Sequence, residues 1–366
     1  MIDMENFADY FIVETFIVNV DWLGSYTNNI KYWRTNDPVG RWRYMLWDAD
    51  LSLGRNPMTG ASTTNMLDRA INPTKSNPHS VMLKALLNNT GFRNYFVNRY
   101  CDLLNTIYLP DKFKKQADDL HDEMQPEMAR HFQLWGNFDS LPQPYPLFYP
   151  LLGLSSDVPT WEQNIDTVKM FMDSRPYYAF NQLQIQFSLV QQVDVGLNVY
   201  PAGAGTIKLN TIYPESFPWS GIYMEGVPVT MTASPNTGYK FSHWQSPSLI
   251  ASPNSNSSVT LNITHGENFT AYFELPDLSF DVYPNPFDET FTVYFQLPEE
   301  AQVSLKMFNA LGQEVAEIIS DRHFTASGTY RINVDAKHYS LTSGVYFIKY
   351  KTNEFSRMIK LVKVNH

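Results

Sequence analysis

The sequence predicts a multidomain α+β chain: a mainly helical first part, then a small all-β module, then an all-β sandwich. Three observations carry this. Residues 80–104 repeat apolar side chains at helical spacing, at Val81, Leu83, Leu86, Leu87, Phe92, Phe96, Tyr100 and Leu103. Residues 191–277 fall to two basic side chains, Lys208 and Lys240, and alternate apolar with polar positions over 226–233 and 258–263. Residues 278–366 hold four strand-like runs separated by turn residues, as a sandwich requires. The expected boundaries are therefore 1–190, 191–277 and 278–366.

In the first part, residues 7–16 read as an amphipathic helix, 42–47 as a strand, and 111–134 and 161–189 as long helices. In the middle module, residues 205–211 and 219–233 carry strand patterns, and the Ser/Pro/Asn-rich stretch 246–258 reads as a loop. Phe241 and Trp244 are its expected core anchors. In the last part the strands fall at 291–295, 302–308, 328–334 and 344–350. Asn309 and Gly312 supply a tight hairpin turn, and Pro284 and Pro286 constrain the lead-in.

Composition sets limits on function. Hydrophobic residues make up 43% and aromatics 15% of 366 residues, enough for packed cores and too much for a disordered chain. A net charge of −10 argues against a nonspecific nucleic-acid binder, so no nucleic-acid partner is expected. The single cysteine, Cys101, lies in a helical pattern and reads as core; it permits neither an internal disulfide nor a cysteine zinc site. No run is long and apolar enough for a transmembrane segment. His121 and His131 are ten apart, which does not meet the His-Glu-x-x-His zinc pattern, and they read as a solvated helix face. Hydrolase-elbow, Walker and dinucleotide fingerprints do not occur.

The densest chemistry lies in residues 14–54. Asn19-Val20-Asp21-Trp22 follows an apolar helix; Asn28-Asn29-Ile30-Lys31 and Trp33 come next; Trp42-Arg43-Tyr44-Met45-Leu46-Trp47 then runs into Asp48-Ala49-Asp50. Carboxylates with an amide oxygen are hard ligands suited to Mg²⁺ carrying substrate phosphates. An aspartate ahead of such a site can accept a hydroxyl proton in phosphoryl transfer. The bland alternative is that Asp48 and Asp50 only cap a turn after a strand.

Residues 3–187 resemble the C-terminal half of the CotH kinase family, the spore-coat-protein-H-like atypical kinases. The resemblance rests on the elements Asn19 to Trp22, Asn28 to Trp33, Trp42 to Asp50, Leu86 to Phe96, and a late helix closing on Phe171-x-x-x-Arg175-Pro176. It implies a kinase-like C-lobe with Asp21 as the catalytic-loop acid. Asn28 or Asn29 would be the cofactor-binding loop amide, and Asp48, Asn29 and Asp50 would be metal ligands. Mg²⁺ and ATP are implied as cofactors, and a protein substrate as a partner. Ser25-Tyr26-Thr27 looks like an insertion and leaves the choice between Asn28 and Asn29 open.

The middle module resembles the small β-repeat modules related to the internalin B-repeat, which implies a rigid spacer or, through Trp219 and Tyr223, a binder of sugar or protein. The last module resembles the type IX secretion sorting domain on an immunoglobulin-like sandwich. That implies Bacteroidota-type export by the type IX machinery to the cell surface or medium. The start shows no basic n-region and no cleavable h-region, so a signal peptide and the family's N-lobe, with its clamping lysine and glutamate, are expected upstream of Met1. Weak or no activity is then expected of this stretch alone. The alternative is an inactive surface protein that uses the kinase-like part as a structural or adhesive scaffold.

Overall fold

A computed structural model describes residues 1–23, 29–55, 60–136, 155–237, 239–274, 280–297, 299–353 and 356–364. The chain is multidomain α+β. It divides into two compact units: Met1–Asn198, Ile207–Thr232 and Gln245–Thr270 form the first, and Val199–Thr206, Ala233–Trp244 and Ala271–His366 the second.

The first unit opens with α1 (Met4–Phe16), capped by the Asp3 side chain on the Asn6 amide. The expected amphipathic helix is in fact buried on most of its circumference, including Glu14 and Thr15. A two-stranded antiparallel sheet follows, β1 (Lys31–Trp33) and β2 (Arg43–Met45), with Tyr32 opposite Tyr44. Asn6 binds the Tyr44 backbone in both directions, accepting at 2.6 Å and donating at 3.1 Å, so the start of α1 pins β2.

Helix α2 (Met66–Ile71) precedes α3 (Pro78–Leu87) and α4 (Thr90–Leu104). The periodicity of residues 80–104 reads as one helix, but the structure breaks it. Asn88 ends α3, and the Asn89 side chain accepts from the Phe92 amide and starts α4. An asparagine at an N-cap satisfies a donor that a continuous helix would bond internally. Then come α5 (Pro110–Trp135) and α6 (Val158–Gln186), the latter opened by a capping box between Asp157 and Thr160. No helix among the described residues is long and apolar enough to cross a membrane.

The middle strands are β3 (Gln192–Tyr200), β4 (Gly205–Leu209), β5 (Trp219–Met224), β6 (Pro228–Pro235), β7 (Lys240–Gln245), β8 (Ser258–Asn262) and β9 (Glu267–Glu274). They form sheets of order β5-β3-β9-β7 and β4-β6-β8. Trp244 is fully buried, as expected of a core anchor, whereas Phe241 is half-buried at its edge.

Within the first unit, α4 is bolted to this module. Asp102, fully buried, accepts from the Thr211 amide at 2.9 Å, the Thr211 hydroxyl at 2.6 Å and the Tyr223 hydroxyl at 2.7 Å. Asn105 pairs with both backbone groups of Ile222, at 2.8 and 2.9 Å, and Asn98 donates to the Pro228 carbonyl at 2.6 Å.

In the second unit, β10 (Phe280–Tyr283), β11 (Thr290–Leu297) and β14 (Gly328–Asp335) make one antiparallel sheet. Strands β13 (Glu314–Phe324), β12 (Ala301–Asn309), β15 (Gly344–Lys351) and β16 (Ser356–Lys363) make another. Inward-facing residues of both sheets, among them Phe291, Val293, Phe295, Leu305, Met307, Ile348 and Tyr350, share one core. The Asn309 side chain accepts from the Leu311 and Gln313 amides, and Gly312 takes φ +81°, the left-handed turn expected there.

Candidate active site

The candidate site is built on the exit of α1. Val18 sits at φ +55°, a position that a β-branched side chain rarely adopts, and Leu23, Asn29, Asp48 and Leu53 also lie in the left-handed region. Such strain persists only where the surroundings hold it. Here the hold is explicit. The Val20 amide donates to the Leu51 carbonyl at 3.3 Å, and the Leu53 amide to the Ile17 carbonyl at 2.7 Å, so the loop after α1 and the loop after β2 are stitched together. Trp22 is fully buried and donates its indole N–H to the Tyr10 hydroxyl at 2.8 Å.

Two buried groups fix the loop from below. Arg175, 0% exposed, donates Nε to the Phe16 carbonyl at 2.7 Å and Nη2 to the Thr15 carbonyl at 2.9 Å. Its Nη1 reaches the Ser62 carbonyl at 2.7 Å and Gln182 at 3.1 Å. It thus satisfies the last carbonyls of α1, which have no intrahelical partner. Glu14, also 0% exposed, accepts from the Asn19 side chain at 2.9 Å, while its Oε1 has no hydrogen-bond partner. Burial pushes the Glu14 carboxyl up to about 7, against the hydrogen bonds from Asn19 and Tyr10. Asn19 passes the constraint on, its Oδ1 accepting from the Asp21 amide at 3.3 Å.

Four of the five residues singled out in the sequence gather above this base. Asn29 Nδ2 donates to Asp21 Oδ2 at 3.0 Å and to the Asp21 carbonyl at 3.1 Å. Asp48 is exposed. A hydrogen bond with Asp50, then the charge of Asp50, slight burial and the charge of Asp21 hold its carboxyl above the usual range. Asn28, the other loop amide, lies outside the described residues, as do Ser25, Tyr26 and Thr27.

Two apposed carboxylates, with a third acid's field on Asp48 and an amide nearby, form a donor set of hard oxygens. Among the described residues no three carboxylates, histidines or cysteines gather as a metal cage. Mg²⁺ does not need one: it binds through one or two carboxylates and keeps several waters. The set therefore fits Mg²⁺ better than Ca²⁺, which takes more protein oxygens, or Zn²⁺, which takes nitrogen and sulfur.

Beside the cluster, the outer face of the β1–β2 sheet is open. Trp33 is 46%, Met45 41% and Trp47 50% exposed, and the Lys31 ammonium stands 5.6 Å from the Trp47 ring centre.

Sequence reasoning missed Glu14 and the anchoring task of Arg175. An arginine four residues after Phe171 and before Pro176 signalled a landmark but not its partners, which are backbone carbonyls more than a hundred residues away. His121 is corrected as well. It is not on a solvated face but stacks on Trp161, with ring centres 4.9 Å apart, in an apolar groove with Phe113, Leu120 and Ile165. Cys101 is buried, as its helical pattern implied. Tyr223, offered as a ligand-stacking aromatic, is fully buried and spends its hydroxyl on Asp102.

Residues 1–179 match the CotH kinase protein family, residues 196–276 the divergent InlB B-repeat domain, and residues 281–364 the secretion system C-terminal sorting domain. None of the curated proteins matches the chain. Among solved structures, DUF3823 family proteins from Parabacteroides merdae and Bacteroides ovatus are each 10% identical, cover 47% of this chain and 99% of their own, and superpose with TM-scores of 0.16 and 0.17. The major pilin subunit of Bacillus cereus is 11% identical, covers 48% of this chain and 69% of its own, with a TM-score of 0.17. The chain thus carries a CotH kinase family domain, a B-repeat-like module and a sorting domain in that order, an arrangement that supports secretion or surface display.

Proposed function

We propose that the Asp21–Asn29–Asp48–Asp50 cluster is the phosphoryl-transfer centre of a CotH-like protein kinase that acts on an extracytoplasmic protein and is exported by the type IX machinery. The observation that carries this reading is the meeting of Asp21 and Asn29, at 3.0 Å, with the apposed pair Asp48 and Asp50. In this reading Asp21 accepts the proton of the acceptor hydroxyl, which raises the nucleophilicity of its oxygen as the phosphate leaves the nucleotide. Asn29 holds the Asp21 carboxylate in one rotamer by donating to it and to its own carbonyl. Asp48, Asp50 and the Asn29 oxygen would hold Mg²⁺, and bound Mg²⁺ supplies charge neutralisation on the nucleotide phosphates. The exposed faces of Trp33 and Trp47 suit a nucleotide base, which stacks on aromatic surface without needing an edge-specific pocket.

The test is transfer of labelled γ-phosphate from ATP, with Mg²⁺, to casein or to itself by the full-length protein, because weak or no turnover is expected of this stretch alone. Asp21→Asn and Asp48→Asn should each reduce kcat by roughly a hundredfold or more, the scale of losing a general base or a charge-stabilising group. Trp33→Ala should raise KM for ATP and leave kcat nearly unchanged. Transfer that survives both aspartate substitutions would remove the assignment. Mn²⁺ binding that depends on Asp48, in a full-length protein with no turnover, would favour the scaffold reading.

A further inference from the structure

The middle module's aromatic residues divide sharply. Tyr223 is spent in the core, but Trp219 and Tyr213 line a cleft of about 430 Å³ within the first unit. One wall is the end of α4 and the start of α5, with Asn105, Ile107 and Lys112; the other is the β4–β5 connection, with Tyr213, Glu215 and Trp219. None of these residues belongs to the acidic cluster, and of them only Trp219 was singled out in the sequence as a contact for sugar or protein.

Three features make this cleft look built. Its walls are tied to each other by the paired Asn105–Ile222 hydrogen bonds, by Asp102 on Thr211, by Arg99 Nη1 on the Thr211 hydroxyl at 2.8 Å, and by the Lys112–Glu215 ion pair at 2.8 Å. The Trp219 ring lies across Gly221. A Cβ on that glycine would come within 2.4 Å of Trp219 Cη2 and 2.9 Å of Asn105 Cγ, so strand β5 gives up a side chain where the indole is seated. Tyr213 and Ile107 leave apolar surface open at the rim, 63% and 59% exposed. A rigid, preformed site loses little ordering entropy on binding, and aromatic rings positioned without a core to fill are available for a ligand.

The chemistry selects the ligand. An indole and a phenol offer flat faces for the C–H face of a pyranose ring. Lys112 and Glu215, both more than half exposed, supply donors and acceptors for ring hydroxyls at the same mouth. The cations at the cleft are engaged within the chain, Arg99 by Asp9, Lys112 by Glu215, and the Lys208 ammonium by the Tyr213 ring, 5.7 Å from its centre, which leaves the aromatic faces rather than a charge to choose the ligand. We propose that the cleft binds a neutral oligosaccharide of hexopyranose or N-acetylhexosamine units, which would hold the exported chain on a glycan. This does not depend on the phosphotransfer reading.

The experiment uses the whole chain and a panel of cello-, malto-, manno- and chito-oligosaccharides, read by tryptophan fluorescence and by calorimetry. At least one member should bind with a Kd below about 1 mM. Tyr213→Ala, on an exposed side chain whose loss spares the fold, should weaken binding at least tenfold. Trp219→Ala should abolish it, with an unchanged circular dichroism spectrum checking that the module remains folded. Asp48→Asn should bind as the parent does, which separates a failure here from a failure of the kinase reading. No binding across the panel, binding indifferent to Tyr213→Ala, or tighter binding of anionic than of neutral sugars would each overturn the proposal.

Discussion

At the scale of single residues, the acids were legible and their support was not. Asp21, Asp48 and Asp50 stand out because they fall in the Asn19 to Trp22 and Trp42 to Asp50 elements that carry the family resemblance. Glu14 does not stand out, because an acid on a helix normally reads as its solvated side. Only the packing around most of the circumference of α1 reveals it as buried, with one oxygen unpartnered. That burial makes a pH prediction. Its carboxyl is raised in the folded chain from an ordinary 4.5 to about 7, so between those values the folded state keeps a proton that the unfolded state has released. Stability from this group is full below about 4.5, declines as pH rises, and is lost above about 7, by at most about 3 kcal/mol. Glu14→Gln preserves an acceptor for Asn19 and carries no charge. Its melting temperature should therefore match the parent's near pH 5 and exceed it at pH 8, measured by calorimetry. Equal pH dependence in both proteins would show that Glu14 is not the titrating group.

At the scale of elements, periodicity located the long helices and most strands, because a 3.6-residue or two-residue repeat is a direct imprint of one buried face. It failed where local hydrogen bonding overrides the repeat. Asn89 splits one apparent helix into α3 and α4 by capping, and the strand expected over 42–47 shrinks to β2, the part whose backbone Asn6 can pin. The loop over 246–258 was legible from its composition, but its clamp was not. Glu267 on β9 is buried, and burial alone would raise its carboxyl. The Ser248 amide at 2.6 Å, the Ser248 hydroxyl at 2.7 Å and the Leu249 amide at 3.2 Å overcome that and bring it down to about 2. Being depressed, it contributes stability that is present above about 4.5 and lost as pH falls toward 2, on the order of 3 kcal/mol. Glu267→Gln should lower the urea midpoint at pH 7 and narrow the difference from the parent at pH 3. An unchanged difference at the two pH values would contradict the clamp.

At the scale of the whole molecule, the order of three regions could be read from composition and turn spacing, whereas the joints between them could not, since they depend on pairs such as Asp102 with Thr211 and Tyr223 that no repeat encodes. The joint within the first unit makes the stretch Ile207–Thr232, which reads as part of a spacer, belong to the body that carries the acidic cluster, because Asp102 and Asn98 on α4 and Asn105 at its C-cap all bond strands or turns of that stretch. The sandwich of residues 280–364 is different: its core is made wholly of its own side chains, from Phe280 to Leu361. These two facts predict separable unfolding. Asp102→Ala strands the Thr211 amide and the Thr211 and Tyr223 hydroxyls without their acceptor in a buried site, a loss of about 3 kcal/mol. In hydrogen exchange followed by mass spectrometry across a urea series, α4, β5 and β6 should lose protection together, at lower urea than in the parent. Peptides of β11, β12 and β15 should keep the parent's midpoint, because no atom of their core has changed. If the sandwich peptides shift with α4, the chain is one cooperative body and the sorting domain is not stabilised by its own core alone.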